Sequence, residues 1–151
     1  VRVISTKHTS EKDTRKTLYS SFVMAESDRP ASADYPPLIN FELRPNSYDT
    51  FPRYIQRYVR DEKVLELEEA IKKITLMPSK RLGLQDRGLV WKGFSADLVV
   101  FTMENLKAEA TFESPVVYPQ GIDYVIVNGK VVVEDGKHTG VLPGSVIRLE
   151  R

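Results

Sequence analysis

The run GIDYVIVNGKVVVEDGKHTG, from Gly121 to Gly140, encodes two strands and the turn between them. Asn128-Gly129 sits between β-branched runs. A type I′ turn needs positive φ at both central residues, and Asn-Gly supplies it at least cost. Ile122, Tyr124 and Ile126 share one face of the first strand. Val125 and Val127 share the other, so both faces read as covered, with Asp123 the exception. Asp135-Gly136 marks a second tight turn. A hairpin alone is marginal in water and must pair with further strands. Ala96 to Phe101, ADLVVF, is the expected partner. Ser145 to Leu149 is expected to add a last strand after the Pro143-Gly144 turn. By itself the hairpin fits the edge of a generic β-sandwich equally well.

Around this stretch the chain has the composition of a soluble globular unit. It has 151 residues, 41% of them hydrophobic, and a formal net charge of +1. That length supports a real core. Near-neutral charge leaves no electrostatic footprint for nucleic acid or a membrane surface. No apolar run approaches the roughly 20 residues needed to span a bilayer. The opening VRVISTKHTS does not read as a signal peptide. Absence of cysteine excludes disulfides and thiolate metal sites, and fits a cytoplasmic protein. Two histidines, His8 and His138, are too few and too far apart for a self-contained histidine metal centre. The chain opens on Val1, compatible with a processed chain or a piece of a longer one.

Upstream of the hairpin the elements are mostly helical. Val1 to Ile4 is a short β-like run. Ser10-Glu-Lys-Asp13 has the form of a capping box and predicts a helix to about Leu18 with a thin apolar stripe. Ser21 to Ala25, SFVMA, has strand length. Four prolines (Pro30, Pro36, Pro37, Pro45) make the next segment a long loop. Asp49 or Thr50 can cap the next helix, whose Phe51, Tyr54, Ile55, Tyr58 and Val59 give a broad apolar face. A further helix runs from about Glu66 to Thr75, with Leu67, Ala70, Ile71 and Ile74 inward and Pro78 as its stop. Met103 to Gln120 reads as a surface excursion. A lone strand at Phe22–Ala25 would leave its backbone edges unpaired, so the first part reads as incomplete.

Taken with its flanking segments, the hairpin carries a resemblance. GFSADLVVF followed by IDYVIVNGKVVVEDGKHTGVLPGSVIR resembles the end of an amidohydrolase-superfamily enzyme. The first part is shared with dihydroorotase-like and hydantoinase-like proteins. The tail HTGVLPGSVIR is narrower and resembles N-acyl-D-amino-acid deacylases, the D-aminoacylases. RKTLYSSFVMAESD is similar to that family's approach to its eighth barrel strand, which ends in Ser-Asp-Gly. SYDTFPRYIQRYVRDE and LEEAIKKITLMPSKRLGLQDRG are similar to the segments after it. The similarity covers nearly the whole chain and is weakest at residues 29–43. It implies an α+β fragment. Residues 1–92 would be the last βα unit of a metal-dependent (β/α)8 barrel with a long active-site loop and two helices. Residues 93–151 would be strands of a small β-sandwich. The SYDTFPRYIQRY and HTGVLPG segments set it apart from cyclic-amide hydrolases.

Asp28 is the sharpest site candidate. It stands at the C-terminal end of an expected strand, where barrels place catalytic side chains. On its own residues it reads as a turn or cap aspartate. By the resemblance it activates a metal-bound water and passes the proton to the leaving amine, a role that needs a carboxylate able to take and return a proton near neutrality. Four departures stand around it. The family's Ser-Asp-Gly reads Ser27-Asp28-Arg29 here. Its His-Pro-Arg-Ser-Tyr-Gly-Thr-Phe reads Arg44-Pro45-Asn46-Ser47-Tyr48-Asp49-Thr50-Phe51. They raise altered substrate selection or lost activity. Arg44 and Tyr48 are weaker candidates for substrate binding, and a tyrosine at a helix entry is more often packing. Arg53, Arg57 and Arg60 read as a solvated face. Trp91 reads as a core anchor. His8 and His138 read as solvated.

The resemblance also implies zinc, held in the family by an early His-x-His pair, further histidines and a Cys or carboxylated Lys. This chain has no His-x-His and no Cys, and zinc takes about four ligands. No metal ligand is therefore assigned here, and the cofactor belongs to the complete enzyme. The expected partner is a missing N-terminal part of the barrel. The expected substrate of the whole is a small N-acyl amino acid, and the chain alone is expected to be inactive. Self-association is expected through the Phe51–Val59 face. The alternative is a non-catalytic assembly module that keeps the fold without the chemistry.

Overall fold

The structure, a computed structural model, describes residues 10–29 and 44–148. Val1–Ile4, His8, most of the proline-rich loop and Leu149 lie outside them. The elements are α1 (Glu11–Tyr19), a 3₁₀ turn (Pro45–Ser47), α2 (Thr50–Ile55), a π-helical segment (Gln56–Asp61), α3 (Leu67–Ile74), α4 (Leu76–Arg81), and β1 (Leu98–Phe101), β2 (Ile122–Val127), β3 (Lys130–Glu134) and β4 (Lys137–His138).

The sheet follows the sequence reading closely. Its four strands run antiparallel in the order β1-β2-β3-β4. Leu98 faces Ile126 and Val100 faces Tyr124, so ADLVVF is the partner of the hairpin. Asn128 and Gly129 have φ of 47° and 74°, the left-handed pair that a type I′ turn requires. Cover is thinner than expected. Val99, Val100, Tyr124 and Val131 are exposed among the described residues, while Val132 is buried. Residues 145–148 are not a strand, and Leu142 and Val146 stand in solvent. This tail is tied to the hairpin instead, by Asn128 Nδ2 donating to the Pro143 carbonyl at 2.8 Å.

Helix α1 begins as its capping box dictates. Ser10 Oγ accepts from the Asp13 N–H at 3.2 Å and donates to Asp13 Oδ2 at 2.6 Å. Leu18 is its buried residue. Arg15 and Arg57 alternate with Glu11 and Glu62 in a closed ring of ion pairs, three of them at 2.8–2.9 Å and one at 3.6 Å. The ring fastens α1 to the π-helical segment.

Ser21–Ala25 does not form the expected strand. Ser21 and Phe22 make a turn, and the chain runs on without regular structure to Arg29. Phe22 is 74% exposed while Val23 is 7% exposed. No described strand lies alongside to supply a ladder, and the backbone groups are met otherwise. Lys73, 1% exposed, reaches in from α3. Its Nζ donates to the carbonyls of Ser20 at 2.5 Å and Val23 at 3.1 Å, with Glu69 Oε1 at 3.6 Å. Buried carbonyls must find a donor, and an ammonium supplies up to three. Period reading placed Lys73 nowhere in particular, because lysine is seldom fully buried.

Much of the α2 face that was expected to mediate association packs within the chain, while Phe51 stays 40% exposed. Tyr54 and Ile55 are buried and form one core with Leu18, Val64, Ala70 and Leu106, against which Tyr58, Val59, Phe101, Met103 and Ile122 pack. Helix α3 ends at Thr75 (φ −127°, ψ −81°), three residues before Pro78. Pro78 sits instead in the first turn of α4, where a missing N–H is harmless.

Met103 to Gln120 is a surface excursion only in part: residues 111–114 are exposed, but residues 106–110 are tied down. Leu106, Ala108 and Ala110 are buried. An extended run through them lies along α2 and the π-helical segment, whose side chains bond its backbone. Ala110 N–H donates to Asp49 Oδ2 at 3.1 Å, and Arg53 Nη2 donates to the Ala110 carbonyl at 2.7 Å. Ala108 N–H donates to Gln56 Oε1 at 2.7 Å. Arg60 Nη1 donates to the carbonyls of Leu106 at 2.5 Å and Met103 at 3.1 Å. One helix face thus meets alternate residues of an extended chain, as a neighbouring strand would. Arg53 and Arg57 are exposed, as a solvated face requires, while Arg53 and Arg60 also tether the run and Arg57 joins the ion-pair ring with Glu11 and Glu62. Asp49 occupies the cap position of α2 without capping it, since its carboxylate serves Arg53 and Ala110. The run ends at Gly121 (φ 80°), where a Cβ would lie 2.5 Å from the Asn105 carbonyl.

Trp91 is not a core anchor. It is 70% exposed in an open connector with Leu89 and Val90, so nothing described covers it. His138 lies in β4 rather than in a turn, is exposed, and accepts from the Gly140 N–H through Nδ1 at 2.9 Å.

Tyr54 gives the core a pH dependence. Its hydroxyl is buried with no hydrogen-bond partner among the described residues. Burial pushes the phenol up to about 12, with the Glu69 charge adding to the rise. The folded state therefore favours the neutral phenol. Its contribution is fully present below the ordinary tyrosine value near 10 and is lost as pH climbs toward 12, by about 2–3 kcal/mol. Tyr54→Phe should flatten this slope and leave neutral-pH stability unchanged or higher. Urea midpoints of both proteins between pH 9 and 11.5 measure it, and parallel slopes would refute it.

Candidate active site

The irregular run after Val23 delivers Asp28 to the surface in a left-handed conformation, φ 52°. Aspartate is among the few non-glycine residues that adopt this region readily. The turn is held by Asn46, which precedes α2. Asn46 Nδ2 donates to the Ser27 carbonyl at 2.9 Å, and Asn46 Oδ1 accepts from Arg29 Nε at 3.2 Å. Thr50 Oγ1 in turn donates to the Asn46 carbonyl at 2.8 Å, joining this clamp to the first turn of α2. The residues on both sides of Asp28 are therefore fixed by one side chain, and the carboxylate projects from a pinned turn.

Beside this turn lies an open cleft of about 460 Å³, lined by Glu26, Ser27, Asp28, Arg29 and Phe51. Phe51 comes from α2 and is 40% exposed. The wall thus offers an aromatic surface, a guanidinium and two carboxylates. A carboxylate on a rigid turn at the rim of a cleft can accept a proton from a nucleophile and return it to a leaving group.

Of the residues singled out from sequence, Asp28 lies in the cleft wall. Arg44 is half-buried ahead of the 3₁₀ turn, with φ −135° and ψ 157°. Tyr48 closes that turn and meets Tyr118 edge to face, ring centroids 5.4 Å apart. The cleft lining includes neither of them. His138 borders a separate hollow of about 350 Å³ with Glu134, Asp135, Lys137 and Thr139. Among the described residues no three of His, Cys, Asp and Glu converge in a geometry that could hold a metal ion. No described helix is long and apolar enough to cross a membrane. Sequence reasoning missed Asn46 and Asp49 as structural parts of the site's support. Asn46 stood out only as a departure from a motif and Asp49 also as a cap candidate, and the partners that give them these roles, Arg29 and Ala110, lie 17 and 61 residues away in the chain.

The chain is 41% identical over 104 residues to the N-acyl-D-aspartate deacylase of Alcaligenes xylosoxydans xylosoxydans, which covers 68% of this chain and 21% of that protein. It superposes on a solved D-aminoacylase with a binuclear metal centre at a TM-score of 0.75 and 37% identity, over 88% of this chain and 27% of that one. The N-acyl-D-glutamate deacylase of Bordetella bronchiseptica, solved with zinc and a phosphonate mimic of the tetrahedral intermediate, gives a TM-score of 0.72 at 29% identity. The chain spans about a fifth of the length of the deacylase it matches. Residues 28–133 match the amidohydrolase family, with Asp28 opening the matched span, and the chain belongs to that family.

Proposed function

We propose that this chain is the C-terminal part of a metal-dependent deacylase that hydrolyses the linear amide of N-acyl-D-amino acids. The likeness to a solved D-aminoacylase along 88% of the chain carries this reading. Residues 1–92 then close a (β/α)8 barrel, and residues 93–151 contribute strands to a β-sandwich whose other strands belong to the N-terminal part. Among the described residues, the outer edge of β1 has no partner and its valines are exposed, which fits that assignment. The absence of cysteine accords with a cytoplasmic place.

Asp28 acts as the proton carrier. It takes a proton as water adds to the amide carbonyl carbon, and returns it to nitrogen as the C–N bond breaks. The described residues do not form a metal centre by themselves. Zinc, present in the Bordetella relative, would be held by ligands from the rest of the protein.

The 151-residue chain alone should show no metal-dependent release of amino acid from N-acetyl-D-amino acids. The protein joined to its upstream portion should show chelator-sensitive release. Metal-dependent turnover by the isolated chain would overturn the proposal. A silent complete protein would favour the non-catalytic assembly module, to which the altered motif at Arg29, Arg44, Asn46 and Asp49 also points.

A further inference from the structure

We infer that Asn46 is a positioning residue for the proton transfer, aiming the Asp28 carboxylate through the peptide plane that precedes it, an inference that rests on the deacylase reading above. Asp28 holds φ at 52°. A residue with a Cβ leaves that region unless its surroundings keep it there. The angle φ is a rotation about the Asp28 N–Cα bond, measured from the peptide plane that contains the Ser27 carbonyl. Fixing that carbonyl fixes the plane from which the Asp28 side chain departs. Asn46 Nδ2 donates to it at 2.9 Å.

The other end of the same amide holds the residue after Asp28. Asn46 Oδ1 accepts from Arg29 Nε at 3.2 Å. A guanidinium only donates and a carbonyl only accepts, so these two partners decide which way the amide faces. One planar group therefore grips both neighbours of Asp28. Its mount is rigid as well. Asn46 belongs to the 3₁₀ turn, which the Tyr48 N–H closes by donating to the Pro45 carbonyl at 3.0 Å. Its own carbonyl accepts from Thr50 Oγ1 at 2.8 Å, and the helix that follows is sunk in the core through Tyr54 and Ile55. Asn46 is not among the described residues that line the cleft. It acts on turnover through Asp28, without touching the substrate.

The test uses the complete protein and an N-acetyl-D-amino acid, with acetate release as the readout. Asn46→Asp keeps the shape and the acceptor toward Arg29 but turns an oxygen on the Ser27 carbonyl. Its kcat should fall on the order of a hundredfold, the scale of a misplaced reacting group. Its KM should stay within about threefold, since no substrate contact is lost. Asn46→Leu, which brings no charge, should lower kcat to a similar extent. In an Asp28→Asn background either change should alter kcat less than about threefold, because partners in one function are not additive. A merely structural residue would cost the same factor in both backgrounds, and that result would overturn the inference. So would an Asn46→Asp protein that turns over normally. A crystal structure of Asn46→Asp reads the geometry apart from activity. The Ser27 carbonyl should have turned away and Asp28 should have left positive φ; an unmoved Asp28 also overturns the inference. If the turn moves as expected but the unaltered protein releases no acetate, the positioning geometry stands and it is the deacylase reading that falls.

Discussion

Asp28→Asn, introduced into the complete protein, is expected to lower kcat on the order of a thousandfold, the usual worth of a positioned proton carrier. The substitution is chosen for its conformational neutrality. Asp28 sits at φ 52°, and asparagine adopts that region as readily as aspartate. The clamp around it uses Asn46, Ser27 and Arg29, none of which bonds through the Asp28 side chain in that clamp. Midpoints of unfolding should therefore stay within experimental spread while turnover collapses. Asp28→Ala should lose comparable activity and some stability as well, because alanine is strained at positive φ. Steady-state kinetics beside thermal melts separate these outcomes. A kcat for Asp28→Asn within tenfold of the unaltered protein would remove Asp28 from the chemistry.

Asp49→Gly carries the second large effect, on stability, and its sign runs against motif-based reasoning. The resembling motif has Gly at this position, and restoring a family residue commonly stabilises. Here it should cost about 3 kcal/mol, the low end for breaking a buried ion pair, because the Arg53 end is part-exposed. Asp49 is 1% exposed. Its Oδ2 meets Arg53 Nη2 at 2.5 Å and accepts the Ala110 N–H at 3.1 Å. Glycine leaves that N–H buried without an acceptor and Arg53 without its counter-charge, while adding backbone freedom to the unfolded chain. Urea unfolding of the 151-residue chain measures this. An unchanged or raised midpoint would show that the helix face and residues 106–110 are not coupled as described.

The sheet was legible in sequence because its signals are local. Asn128-Gly129 and Asp135-Gly136 dictate their turns from adjacent residues, and ADLVVF had to pair with something. The Ser10 capping box is local too. The features that sequence did not disclose depend on partners far along the chain. Ser21–Ala25 has strand composition, but a strand needs a neighbour, and the described residues answer its carbonyls with Lys73. Met103–Gln120 has prolines and little periodicity, so the burial of Leu106, Ala108 and Ala110 within it could not be read. It is covered because Asp49, Arg53, Gln56 and Arg60 happen to bond its backbone. Trp91 shows the reverse error, since a large apolar side chain sets a preference for burial without providing the cover. Asp28 was singled out through the resemblance, and in the structure it lies in the cleft wall. Asn46 was noticed only as a mismatch, and its function as a clamp exists only in three dimensions.

The joint between the helix face and residues 106–110 is blind to sequence on one side. Asp49, Arg53, Gln56 and Arg60 grip peptide groups, and every residue except proline offers the same N–H and C=O. Homologues are thus free to drift along that run so long as side chains stay small at Ala108 and Ala110 and no proline enters there. The helix side has no such freedom, because four particular side chains must be kept together. Recombining this gene with a relative should accordingly succeed when the crossover leaves residues 49–60 intact as a block and the opposite half brings small side chains at 108 and 110 and no proline.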